Sequence, residues 1–331
     1  MKEAFLQKNN RSYFVKSIAG KSIVMNTQER KVFEKNFPEL YKVFKPIIHN
    51  LGTPSERSFL ANLIKLFEIT SAGIKDKNTE QYINEVFKLS NVKLHPLFEA
   101  FKLTLFSKKP YRLFHSYLYE LENALSHQDI TFPSENYKRQ KLRELANKAK
   151  FWNIYFEFEV ANTFALAGCK VEMCHHFRPY DLRVFINGKH FNIEITAIRY
   201  KNRFNKHKIC QRIRKTIKKK AKQLPKSGIN IIVLAVPWDS NIMPFDIIDS
   251  LYDSPDKVAI PHGQKGGIVK IKGASIFDKY EKLKNISGVL EWSHKGVVMN
   301  KFGFEARRIS PLWFRENLPL EIKKVFMRIS G

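Results

Sequence analysis

The dipeptide Asn187-Gly188 constrains this chain more than any other feature of its sequence. It separates two alternating runs, Asp181-Leu-Arg-Val-Phe-Ile186 and Lys189-His-Phe-Asn-Ile-Glu-Ile-Thr196. Asn-Gly accepts the positive φ angles of a type I′ turn, whose twist matches that of the flanking strands, so the segment predicts a β-hairpin. Leu182, Val184 and Ile186 on one strand share a face with Phe191, Ile193 and Ile195 on the other, and these six predict the core side.

The register follows from the turn. A two-residue loop pairs Ile186 with Lys189 and, counting outward, Asp181 with Glu194. Both carboxylates then stand on the polar face with Cβ atoms about 4.5–5.5 Å apart. Two bare carboxylates that close repel each other, and a cation between them removes the repulsion. Oxygen donors without Cys or His suit Mg²⁺ or Mn²⁺. Thr196, two residues past Glu194, lies on the same face beside the pair.

The neighbouring segments predict an α/β arrangement. From Ser134 to Gly168 no Gly or Pro interrupts the chain, and Leu142, Leu145, Trp152, Tyr155, Phe156, Val160 and Phe164 predict one long helix, or two broken near Phe151. Lys170–Met173 predicts a strand. After Thr196 the chain turns basic, with twelve Lys or Arg and no acid between Lys201 and Lys226. Ile209, Ile213, Ile217 and Ala221 recur every four residues there, which predicts a helix with a narrow apolar stripe and a cationic outer face. Ile229–Val236 is a continuous apolar strand of the kind buried on both sheet faces. Beyond it, Ser275–Ile286 predicts a helix, Gly288–Trp292 and Gly296–Asn300 predict strands, and Leu318–Met327 predicts a final helix. From residue 134 the order is α-β-β-β-α-β, then mixed.

The first 130 residues read as helices. Thr53-Pro54-Ser55-Glu56 is a capping box with Pro in the first turn, followed by Phe59, Leu60, Leu63, Ile64 and Phe67 at helical spacing. Further helices are predicted from Asn78 or Thr79 (with Tyr82, Ile83, Val86, Phe87 and Leu89 buried), over Pro96–Phe106 and over Leu113–Leu125. The stretch Asp129–Ser134 marks the boundary, giving a helical domain, 1–130, for nucleic-acid or partner binding, and an α/β domain, 131–331.

Charge narrows the function. The chain of 331 residues carries 58 Lys and Arg against 31 Asp and Glu, a net +27 that a polyanion would relieve. Nucleic acid is the expected partner, with Lys201, Arg203, Lys206, Lys208, Arg212, Lys215 and Lys219 as phosphate contacts. Hydrophobic residues at 44% exclude a disordered chain. No apolar run reaches the roughly 18–20 residues of a membrane span, and Met1–Arg11 lacks the apolar core of a signal peptide. Three cysteines make no disulfide framework and fit a reducing cytoplasm. Cys169, Cys174, His175 and His176 cluster without the second ligand pair of a zinc site. Gly263-Gln-Lys-Gly-Gly267 lacks the Gly-x4-Gly-Lys-Ser/Thr pattern and reads as a loop.

Taken together, Pro179-Tyr180-Asp181, Glu194-Ile195-Thr196, the preceding helix and the following basic helix and strand resemble the PD-(D/E)XK nuclease superfamily over residues 134–240. The resemblance implies a restriction-endonuclease-like mixed sheet flanked by helices, preceded here by an all-helical N-terminal domain. It implies a Mg²⁺- or Mn²⁺-dependent endonuclease on DNA, with Asp181 and Glu194 as metal ligands and Glu157, preferred over Glu159, as the helix acid. Many nucleases of this fold act as homodimers. Thr196 stands where the family usually has Lys; Lys189, Lys201 and the basic helix are the candidate replacements. Two other readings stay open, a nuclease-fold DNA-binding module without catalysis and a basic RNA-binding protein.

Overall fold

The computed structural model describes residues 8–9, 12–16, 22–72, 95–100, 112–174, 178–200, 206–253, 274–294 and 308–330. The chain divides into two units, Met1–Ser126 with Ser134–Tyr155 and His127–Pro133 with Phe156–Gly331. The expected division after residue 130 falls inside the short segment His127–Pro133.

The first unit opens with an antiparallel meander, β1 (Lys8–Asn9), β2 (Ser12–Lys16) and β3 (Ser22–Asn26), in which Phe14 pairs with Val24. The all-helical expectation is corrected here. Tyr13-Phe14-Val15 and Ile23-Val24 are aromatic and β-branched runs that suit a pleated surface, and helical structure begins only afterwards. Helices α1 (Thr27–Asn36), α2 (Pro38–Pro46), α3 (Pro54–Ala72) and α4 (Arg112–Ser126) follow. The box before α3 is reciprocal: Thr53 N–H donates to Glu56 Oε2 at 2.7 Å, and Glu56 N–H to Thr53 Oγ1 at 3.3 Å. Phe33, Phe37, Phe44 and Phe67 fill this core, with the Phe37 and Phe67 rings edge-on at 4.7 Å. Buried Glu122 on α4 accepts from the N–H groups of Glu39 and Leu40, closing the open start of α2. Residues 96–100 are helical. The rest of the expected Pro96–Phe106 helix, and the whole helix expected from Asn78 or Thr79, lie outside the described residues.

The second unit contributes β4 (Ile130–Thr131) before the chain forms α5 (Glu135–Leu145) in the first. Ser134 Oγ caps α5 by accepting from Tyr137 N–H at 3.1 Å. Helix α6 (Phe151–Leu166) begins in the first unit and ends in the second, so the long segment from Ser134 is two helices. Then come β5 (Lys170–Met173), β6 (Leu182–Ile186), β7 (Lys189–Ala197), α7 (Lys206–Gln223), β8 (Asn230–Val236), α8 (Pro244–Leu251), β9 (Tyr252–Asp253), β10 (Ala274–Ser275), α9 (Ile276–Lys279), β11 (Gly288–Ser293), β12 (Arg308–Phe314) and α10 (Leu320–Ser330).

Seven strands form one mixed sheet in the order β12-β11-β8-β7-β6-β5-β4. The hairpin turns as its residues dictate, with φ of 46° at Asn187 and 74° at Gly188. Strands β7, β8 and β11 run parallel at the centre, and β8 is buried along its whole length. Helix α7 lays Ile209, Ile213, Ile217 and Ala221 on the face formed by Ile232, Leu234 and Val236. Burying each isoleucine contributes about 1.5–3 kcal/mol. On the other face Phe164, Phe191 and Phe326 meet edge-on.

Two tail expectations change. Ser275–Ile286 holds only the single turn α9 and a 3-10 turn at Glu281–Leu283, because Tyr280 leaves helical geometry at φ −110°, ψ 111°. Strand β12 was not foreseen, since Pro311 argues against a strand; at the sheet edge it is tolerated. The strand expected over Gly296–Asn300 and the loop Gly263–Gly267 lie outside the described residues. Among the described residues no helix is long and apolar enough to cross a membrane.

Candidate active site

The predicted register holds from Ile186 opposite Lys189 to Leu182 opposite Ile193. One step further it breaks. Asp181 N–H donates to Ile193 O at 2.9 Å, one residue off the ladder, and the Asp181 carboxylate turns to accept from Ile195 N–H at 2.7 Å. So Asp181 does not stand squarely across from Glu194, as a regular ladder would place it. Its carboxylate instead takes a backbone donor on the Glu194 strand, which satisfies the charge at the strand end.

Glu194 is buried in the middle of β7, and its Oε1 accepts from the ammonium of Lys220 on α7. Burial alone would weaken Lys220's hold on its proton. The charge and hydrogen bond of Glu194 outweigh that, Asp181 and Glu157 add their fields, and the ammonium is held above the ordinary lysine range. One lysine is thus in the electrostatic reach of all three predicted acids. It arrives from the basic helix, one of the named sources for the family's lysine, yet Lys220 was not itself singled out. Helical phase was the available signal: Lys220 flanks the buried stripe between Ile217 and Ala221, whereas Lys215 and Lys219 sit on the opposite face.

The end of α7 that carries Lys220 is tied down by three asparagines. Asn285 Nδ2 donates to Ala221 O at 2.8 Å and Leu224 O at 3.1 Å. Asn230 Nδ2 donates to Pro225 O and Asn285 O, and its Oδ1 accepts from Asn192 Nδ2 at 2.9 Å. These bonds satisfy orphan carbonyls of the helix end and join it to β7, two residues before Glu194.

The two candidate helix acids have different surroundings. Glu157, 5% exposed, contributes to the field at Lys220. Glu159, 4% exposed, accepts from Trp292 Nε1 at 2.9 Å and contacts His294 Nε2 at 2.9 Å, a buried network on β11 and the residue after it. Thr196 is buried next along β7, level with Leu234 and, beyond it, Glu291.

Along α7 the predicted phosphate contacts divide. Lys208, Arg212, Lys215 and Lys219 are exposed. Lys206 is an ion-pair partner of Asp249, which ties it to α8. Lys201 and Arg203 lie outside the described residues, as do His175 and His176. Burial pushes the Cys174 thiol up to about 12 and the Cys169 thiol to about 11, so neither supplies a thiolate at neutral pH.

Among the described residues no group of three or more His, Cys, Asp and Glu side chains converges closely enough to form a ready metal cage. The donor chemistry fits a hard divalent cation. Asp181 and Glu194 offer only oxygen, an ionised carboxylate has about four acceptor positions, and the Ile195 N–H bond takes one of Asp181's.

Comparisons with models of protein families, with curated proteins and with solved structures give no match for this chain.

Proposed function

We propose that the second unit is a restriction-endonuclease-like domain that hydrolyses phosphodiester bonds in DNA with Mg²⁺ or Mn²⁺, in the cytoplasm. The observation that carries this reading is the position of Lys220, bound to Glu194 and within the field of Asp181 and Glu157. Thr196 cannot act as a cation, and Lys220 supplies one from the neighbouring helix. In this reading Asp181 and Glu194, with the backbone carbonyl of Ile195, would hold the metal. The metal, when bound, would polarise the scissile phosphate and lower the pKa of a bound water. Lys220 holds a positive charge beside these acids, where it can orient the attacking water and offset charge on the phosphate oxygens. Asp181, braced by Ile195 N–H, keeps a fixed orientation. The exposed cations of α7 attract the phosphate backbone, with an affinity that falls steeply with salt.

The test is a cleavage assay on supercoiled plasmid and on single-stranded DNA, with Mn²⁺ and with EDTA, comparing the parent and Glu194→Ala. Metal-dependent nicking lost in the variant is the expected result. Tight, salt-sensitive DNA binding by both proteins without any nicking would instead support a DNA-binding module, a reading favoured by Thr196 at the family's lysine position. An RNA-binding role would be indicated by preference for RNA with no metal response.

A further inference from the structure

The outer face of α7 is ordered. Lys208, Arg212, Lys215, Lys219 and Lys222 recur at steps of four, three, four and three residues, which keeps them on one helix face. All five are exposed, opposite the buried Ile209, Ile213 and Ile217. From Lys208 to Lys222 the stripe spans about 21 Å at 1.5 Å per residue. It is flanked by two cation–aromatic pairs. The Arg212 guanidinium lies 4.8 Å from the Tyr200 ring centre, and the Lys218 ammonium 3.9 Å from that of Tyr280. Tyr280 is 42% exposed, a large aromatic left at the surface against Lys218, toward the Lys222 end of the stripe.

A row of cations alone suits any polyanion. An exposed tyrosine beside that row adds a requirement, because its ring can only stack on a flat partner whose face is open. In a duplex each base is covered above and below by its neighbours. In a single strand the faces are open, and a cationic track with aromatic platforms is how such strands are held without sequence preference.

We propose that α7 and Tyr280 bind single-stranded nucleic acid, its phosphates along Lys208–Lys222 and a base stacked on Tyr280. This deepens the nuclease reading by naming the form of substrate and rests on it only for the class of ligand. The Lys218 ammonium lies over one face of the Tyr280 ring, so the base stacks on the opposite face, with the same cation close to the phosphate of the stacked nucleotide.

The test is a binding titration of the full chain in EDTA, where no cleavage occurs. The probes are a labelled thymidine 20-mer, a 20-base-pair duplex and heparin. The 20-mer should bind at least tenfold more tightly than the duplex. Tyr280→Ala should weaken 20-mer binding about five- to hundredfold, the range given by base stacking, and leave duplex and heparin within about twofold. Tyr280→Phe should retain the parent affinity, since the ring and not the hydroxyl stacks. Lys215→Ala with Lys219→Ala should reduce the slope of log affinity against log salt by about 1.4 for the single strand. Equal affinity for strand and duplex overturns the proposal, as does a Tyr280→Ala protein that binds the 20-mer like the parent, or one that loses heparin equally. A protein that shows the expected binding pattern but cuts neither plasmid nor single-stranded DNA in Mn²⁺ would uphold this proposal and remove the nuclease reading.

Discussion

The ammonium of Lys220 on α7 and the carboxylate of Glu194 on β7 form an ion pair in which the Glu194 side chain is only 6% exposed. A pair this buried behaves unlike one at the surface. Removing the lysine alone leaves a charge in a poor solvent for it, whereas neutralising both partners does not.

Lys220→Met should therefore lower stability by about 3–5 kcal/mol in urea unfolding, the cost typical of an orphaned buried charge. The double variant Glu194→Gln/Lys220→Met should recover most of that loss, and neither protein should nick plasmid. A Lys220→Met protein as stable as the parent would mean that Glu194 is well solvated.

The two acids of α6 should separate by substitution. Glu157→Gln should reduce cleavage on the order of a hundredfold, as expected for a lost electrostatic group at a reacting phosphate, with little change in melting temperature. Glu159→Gln disturbs the bonds to Trp292 and His294 and should lower the melting temperature while leaving cleavage within a few fold. Finding these two effects exchanged would assign the helix acid to Glu159.

Asn285→Ala removes the donor that closes the end of α7. The carbonyls of Ala221 and Leu224 lose this donor, while Pro225 O keeps its bond from Asn230 Nδ2, and the loss should cost about 1–3 kcal/mol, read as a shift of the denaturation midpoint. If the midpoint does not move, water replaces the amide at that helix end.

His115 gives the first unit a pH dependence. Burial lowers its pKa to about 4 from 6.5. The unfolded chain then binds the proton more readily than the folded one. Stability is full above pH 6.5, falls between 6.5 and 4, and changes no further from this group below 4. The loss should be on the order of 2 kcal/mol after allowance for partial exposure. His115→Phe should flatten this part of the profile in urea midpoints measured against pH.

The hairpin, the box at Thr53 and the buried stripe of α7 were all legible in sequence, because each is fixed by neighbours a few residues apart. What was not legible depends on distant partners. The slip at Asp181 arises from competition between ladder pairing and a backbone donor at Ile195. The Lys220–Glu194 pair joins residues that only the packing of α7 on β7 brings together, although the helical phase of Lys220 hinted at it. Strand β12 was hidden by Pro311, a residue that signals a break unless the strand is known to be at an edge. The β1–β3 meander was overlooked because its strands are short and run directly into a helical region.

The two borders of the seven-stranded sheet are β12, which carries Pro311, and β4, which is two residues long. Among the described residues β4 is too short to present a long row of backbone donors and acceptors, and along β12 Pro311 interrupts the row by removing one donor. These two edges are poor templates for joining copies of the seven-stranded sheet end to end. If cutting both strands of a duplex requires two copies, a pairing built on side chains rather than on these edges can dissolve without unravelling either sheet.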